Sequence, residues 1–149
     1  MGDYTPPYII GEVATSTASA AITGGALLVV SGNGTVAPFT PGATPAQNII
    51  GVAAADATSG SRVTFYGRGP QHESIADGSI TAGDQLVSAT NAGRQVRTLA
   101  PSAGDLGTAF NQATDNTVLN LAVNNARSIL GVALTTATDN TKVRWMIFA

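Results

Sequence analysis

The chain is 149 residues long, 44% hydrophobic, 11% charged and 5% aromatic, with a formal net charge of −2. One domain of this length buries about 70% of the surface its unfolded chain exposes, and so apolar a composition excludes the disordered class. The seven basic residues form no run, which argues against nucleic-acid binding, and the absence of cysteine excludes disulfides and thiolate metal sites. With so few aromatics, a core must be built from Val, Ile, Leu and Ala.

Residues 1–7 read as an extended arm, because Pro6-Pro7 forbids helix and pushes Thr5 towards β or polyproline geometry. The start lacks a basic n-region and an apolar h-region, so no signal peptide is expected. Pro6 stands where a myristoylation signal wants Ser or Thr. No apolar run approaches the roughly 20 residues of a membrane span. Tyr8–Ser16 predicts a strand weakened only at Gly11, which residues 15–21 either continue or end in a loop. Ala26–Ser31 predicts a second strand, turned by Gly32-Asn33-Gly34, and a Pro/Gly/Thr loop is expected over Pro38–Pro45. Ile49–Ala54 is an almost unbroken apolar run, the pattern of a strand covered on both faces. Arg62–Tyr66 alternates, with Val63 and Phe65 on one face.

Beyond the turn Tyr66-Gly67-Arg68-Gly69-Pro70, the segment around His72 reads as a polar loop. Gln85–Ala89 and Gln95–Leu99 predict strands around an Asn91-Ala92-Gly93 turn. Within 101–127, Leu119, Leu121 and Val123 alternate like a strand, while Phe110, Thr114, Val118 and Leu121 mark a helical face. The asparagines favour the strand. Ile129–Leu134 and Lys142–Phe148 predict the last two strands, with Val143, Trp145 and Ile147 on one face.

These segments are written twice. Ile22-Thr23-Gly24-Gly25, Leu28-Val29 and Asn33 return as Ile80-Thr81-Ala82-Gly83, Leu86-Val87 and Asn91. Asn48-Ile49-Ile50-Gly51-Val52-Ala53 returns as Ser128-Ile129-Leu130-Gly131-Val132-Ala133, and Arg62–Phe65 as Lys142–Trp145. The copies lie 58 residues apart at Ile22 and Ile80 but 80 apart at Ile49 and Ile129. The second copy therefore carries an insertion within 101–127. The organisation expected is an arm and first strand over 1–21 and a β domain over 22–149, with copies over 22–67 and 80–148. Such duplication is an architecture signal, and an all-β fold with little helix follows, two pseudo-repeated strand units closing into a compact barrel or sandwich.

Chemistry is sparse. His72 is the single histidine, followed by Glu73 with Asp77 nearby, but a metal site wants three or more placed ligands. No Gly-x-Ser-x-Gly elbow accompanies the histidine. The glycine clusters lack the spacing of a nucleotide cradle and read as turns. Asp56, Asp84, Asp105, Asp115 and Asp139 recur in loops, too far apart for one calcium loop. No catalytic residue, cofactor or metal is expected.

The repeated Ile49–Ala53 block and the Thr81-Ala82-Gly83-Asp84-Gln85-Leu86 block resemble those of head decoration, or capsid cement, proteins of tailed bacteriophages. Copy one departs from the pattern, with Gly25-Ala26 where copy two has Gly83-Asp84. The resemblance implies a β-tulip-like fold and a non-enzymatic virion protein, assembled in the host cytoplasm. It would sit on the capsid exterior as a homotrimer that contacts the major capsid protein and clamps neighbouring capsomers. Neither nucleic acid nor membrane is an expected partner. The arm, with Tyr4, Pro6, Pro7, Tyr8, Ile9 and Ile10, is the expected partner-binding element, suited to adding a strand to a sheet edge. The competing readings are a tail or fibre structural module and a carbohydrate-binding β-sandwich module, for which Tyr4, Tyr8 and Tyr66 are the aromatic candidates.

Overall fold

Each copy of the repeat lays its five strands in the same cyclic order, closed into a barrel in the first copy and forming a five-stranded sheet in the second. In the computed structural model, which describes residues 12–42, 48–99 and 128–147, the first ring comprises β1 (Val13–Ala18), β2 (Leu27–Gly32), β3 (Thr35–Pro38), β4 (Ile49–Ala53) and β5 (Arg62–Tyr66). It is a closed barrel of order β1-β3-β2-β4-β5. The second, a less complete barrel, comprises β6 (Gln71–Ile75), β7 (Gln85–Ser88), β8 (Val96–Thr98), β9 (Gly131–Ala133) and β10 (Lys142–Ile147), a five-stranded sheet of order β6-β10-β9-β7-β8 whose edges meet at the isolated bridge Ala76–Val96. Read round the ring, the two orders are the same. No helix occurs among the described residues, so the fold is all-β, as the repeat predicts.

Local chemistry explains the shared elements. β2 and β3 form an antiparallel hairpin whose turn places Gly34 at φ 73°, a left-handed conformation that glycine adopts without steric cost. Gly93 fills the equivalent turn at φ 76°. The invariant glycine of the Ile-x-Gly-Val-Ala block has a different purpose. A Cβ on Gly51 would run into the Tyr66 carbonyl oxygen and lie 2.9 Å from the Phe65 ring; on Gly131 it would run into the Met146 carbonyl oxygen and lie 3.1 Å from the Trp145 ring. Both glycines therefore let one strand press flat against the large aromatic of its neighbour. At each barrel's end a reciprocal backbone pair staples the chain, Ile22 with Ala57 and Ile80 with Ala137, at 2.8–2.9 Å.

The spatial repeat begins one strand upstream of the sequence match. β1 pairs with β5 so that Ala14 faces Phe65, and β6 pairs with β10 so that His72 faces Trp145. Ala18 and Ala76 then take equivalent bonds, from Ala18 N to Ser61 O and from Ala76 N to Thr141 O. The polar-loop reading of the His72 segment is thereby corrected. Gln71-His72-Glu73-Ser74-Ile75 is strand β6 with an alternation of half-buried and buried residues, and its inward residues happen to be His72 and Ser74. The Pro38–Pro45 loop reading is trimmed as well, since β3 runs to Pro38.

Two cores meet along the joint. Ala18, Ile22, Leu28, Val36, Ala53, Val63 and Phe65 fill the first barrel. Their chain neighbours Leu27 and Val52 point the other way, into the cluster around Ile80, Leu86, Val96, Val143 and Trp145 of the second. β4 is thus apolar on both faces because both are covered, one by its own barrel and one by the other. The arm, the start of the Tyr8–Ser16 strand, the insertion with its strand or helix, and the last two residues lie outside the described residues.

Candidate functional site

The candidate partner-binding residues Tyr4, Pro6, Pro7, Tyr8, Ile9 and Ile10 lie outside the described residues. Tyr66, the remaining aromatic candidate, is on β5 and half-buried. Three features of the described surface and interior bear on function.

The first is the joint. The connection Gly67–Pro70 leaves the first barrel and enters the second through a tight bend, with Gly69 at φ 99° and Pro70 fully buried. It is tied to the start of the described chain, Glu12 N donating to Arg68 O at 2.9 Å and Gly67 N to Glu12 O at 2.8 Å. His72, 0% exposed, places Nε2 3.1 Å from the Gly67 carbonyl oxygen. Its ring lies 5.4 Å from that of Trp145 at 46°, and the indole N–H donates to Ser74 Oγ at 3.0 Å. Burial pushes the imidazole below its usual pKa of 6.5, partly opposed by the Gly67 hydrogen bond. A side chain so enclosed reaches no substrate, and Ser74 beside it is occupied by the indole.

The second feature is a groove of about 900 Å³ at the junction of the barrels, walled by the Thr23–Ala26 turn, Phe39, β6 and the Gly93–Gln95 turn. Its charges are matched in pairs, Lys142 with Glu73 at 3.3 Å and Arg94 with Asp139 at 3.2 Å. Gln95 crosses the groove wall. Its Oε1 accepts from Ile75 N at 2.9 Å while its Nε2 donates to Gly25 O at 2.8 Å, so one amide joins a strand of the second barrel to a turn of the first.

The third is the aspartates. Asp56 accepts from Gly24 N at 2.8 Å, and its repeat equivalent Thr136 accepts from Ala82 N at 3.2 Å. Asp84 accepts from Thr81 N at 2.8 Å, and Asp139 from Gly78 N at 3.0 Å. Asp77 gathers Thr90 N and Asn91 N at 2.8 and 3.1 Å, and Asn91 Nδ2 at 2.6 Å. Partial burial works against the charged form of Asp77, but the Asn91 and Thr90 donors win and hold its carboxyl below the usual value. The Arg94 guanidinium, with the Gly78 amide, holds Asp139 at about 2. These carboxylates spend their oxygens on turn amides, the usual use of Asp in loops. Among the described residues no group of three or more His, Asp or Glu side chains could hold a metal. Asp105 and Asp115 lie outside them.

The ring topology has a counterpart among solved structures. The chain is similar to the head fibre gp8.5 N base of bacteriophage phi29, with a TM-score of 0.52 and 18% identity over 92% of this chain and 93% of that one. At that identity the likeness is one of fold, and it spans nearly the whole of both chains. No family model matches the sequence, and no curated protein does.

Proposed function

We propose that the chain is a structural virion protein that binds the outer surface of a phage capsid, with the major capsid protein and further copies of itself, as a homotrimer, as its partners. The observation that carries this reading is the near full-length likeness of fold to a protein described as the base of a phage head fibre. It agrees with the capsid-cement resemblance of the repeated blocks, which is an independent line of support. The interior supports a scaffold role too, since its one histidine and the described aspartates are engaged in holding turns and the joint. Residues 4–10 supply the contact with the shell, and docking at many equivalent positions makes weak single contacts hard to reverse together.

The test is co-sedimentation with expanded phage heads stripped of accessory proteins, followed by heating. Saturable binding and a raised disruption temperature are expected; a chain that stays in the supernatant overturns the reading. Deleting residues 2–10 should abolish docking and leave the folded barrels intact. A second reading, in which the chain is the base of a fibre rather than a clamp, is favoured by the description of the structural neighbour itself. It predicts binding to heads without any gain in their thermal stability.

A further inference from the structure

We propose that His72 is an acid-sensitive latch on the joint between the two barrels. The repeat supplies the control. The position equivalent to His72 in the first barrel is Ala14, which faces Phe65 and is exposed, and that barrel closes without an imidazole. The ring architecture therefore does not require His72. The second barrel is entered at this position by the connection Gly67–Pro70, and His72 bonds to that connection, through Nε2 and the Gly67 carbonyl oxygen at 3.1 Å.

The geometry fixes the proton. A carbonyl oxygen only accepts, so Nε2 carries the hydrogen and Nδ1 carries the lone pair. Nδ1 is buried and has no hydrogen-bond partner among the described residues. Adding a proton there creates a buried cation whose second N–H meets no acceptor, a state that burial penalises heavily. Among the described residues the neighbouring charges point elsewhere. Glu73, next on β6, points to the opposite face, opposite Arg144 in the ladder and 3.3 Å from Lys142. Arg68 in the connection and Glu12 beside it are exposed. The inward neighbours on β6 and β10 are Ser74, Val143 and Trp145, none of them charged.

The sign follows from linkage. The folded form holds the imidazole neutral at pH values where the unfolded chain, with a pKa near 6.5, already binds a proton. The latch is at full strength above about pH 6.5 and weakens as pH falls from there towards the folded value. The aspartates act separately, in the range below their ordinary pKa of 3.8.

Because His72 is the single histidine, wild-type protein gives the test without ambiguity. Long-range ¹H–¹⁵N correlation spectra of the labelled full chain should show the Nε2–H tautomer, with the ring titrating below 6.5. Urea unfolding between pH 7.5 and 5 should show the unfolding constant rising, at most about tenfold per pH unit. His72→Gln keeps an N–H within reach of the Gly67 carbonyl and removes the titration, so its unfolding constant should be flat over that range. An Nδ1–H tautomer, a ring that titrates at or above 6.5, or an unchanged slope in His72→Gln would overturn the proposal. Should the variant fail to fold, the spectra of the wild type still decide it.

Discussion

The two barrels are built to one plan and fastened differently. The first closes by backbone, β1 running parallel to β3 with Thr17 opposite Thr35 and Ala18 opposite Val36. The second closes through a single parallel bridge, Ala76 to Val96, and the Gln95 side chain takes the Ile75 amide that no strand reaches. Three titratable groups follow the same division, while Asp56 of the first half, with Thr136 as its counterpart, does not. His72, Asp77 and Asp139 of the second barrel stand where the first has Ala14, Ser19 and Ser59, and in the first barrel Ser59 Oγ donates to the Ser19 carbonyl at 3.1 Å. Duplication thus produced one seam of paired strands and one in which main-chain bonds, Gln95 N to Ile75 O at 2.9 Å and Asp77 N to Val96 O at 2.8 Å, are supplemented by side chains that respond to solvent conditions. Side-chain fastenings can be removed by one substitution or one proton, and main-chain pairing cannot.

The largest effect that would sharpen this comparison is expected at the glycines. Gly131→Ala drives a methyl group into the Met146 carbonyl oxygen, where backbone has to move, and Gly51→Ala does the same at Tyr66. Each should cost roughly 3 kcal/mol or more, read as a shift in urea midpoint. Equal tolerance of both would show that the strands are not pressed together at these points.

Next comes the seam. Gln95→Leu strands the Ile75 N–H and the Gly25 carbonyl and should cost about 2 kcal/mol. Thr35→Ala at the equivalent place removes only an exposed hydroxyl contact with Ser31 and should change stability by less than about 0.5 kcal/mol. Hydrogen exchange should report the same order, with the Ile75 amide losing protection in the Gln95 variant while the β1–β3 seam keeps its own.

Acid should separate the halves further. Asp77 and Asp139 have depressed pKa values when folded, so their contribution is present above the unfolded value near 3.8 and is lost as pH falls through the folded values, for Asp139 down to about 2. Amides of the second barrel should lose protection first between pH 4 and 2, and Asp77→Asn should reduce that difference. Small as well is the effect expected of the surface Arg94–Asp139 pair. Arg94→Ala should lower stability slightly, and 0.5 M salt should erase most of the effect.

Much of this plan is legible in the residues. Ile49–Ala54 gives a strand covered on both faces because it is apolar at every position, and the turns at Asn33-Gly34 and Gly93 are marked by residues that tolerate positive φ. β6 was hidden for a physical reason. Its inward residues, His72 and Ser74, are polar; His72 bonds to the Gly67 carbonyl of the preceding turn and Ser74 to the Trp145 indole far away in sequence. A binary pattern of apolar and polar residues therefore reads it as a loop. The repeat held a usable signal: placing His72 and Ser74 over Ala14 and Ser16 puts them on the strand preceding each copy. Which amide closes a seam, and which carbonyl an imidazole holds, depends on three-dimensional register that the spacing of residues does not encode.

The most direct test of the proposed role is a cryo-electron microscopy reconstruction of expanded heads incubated with the full chain. The account predicts double-barrel density on the outer surface at the junctions between capsomers, in threefold clusters, with residues 1–10 directed at the shell. Bare capsomer junctions, with the added density confined to the tail or absent altogether, would contradict it.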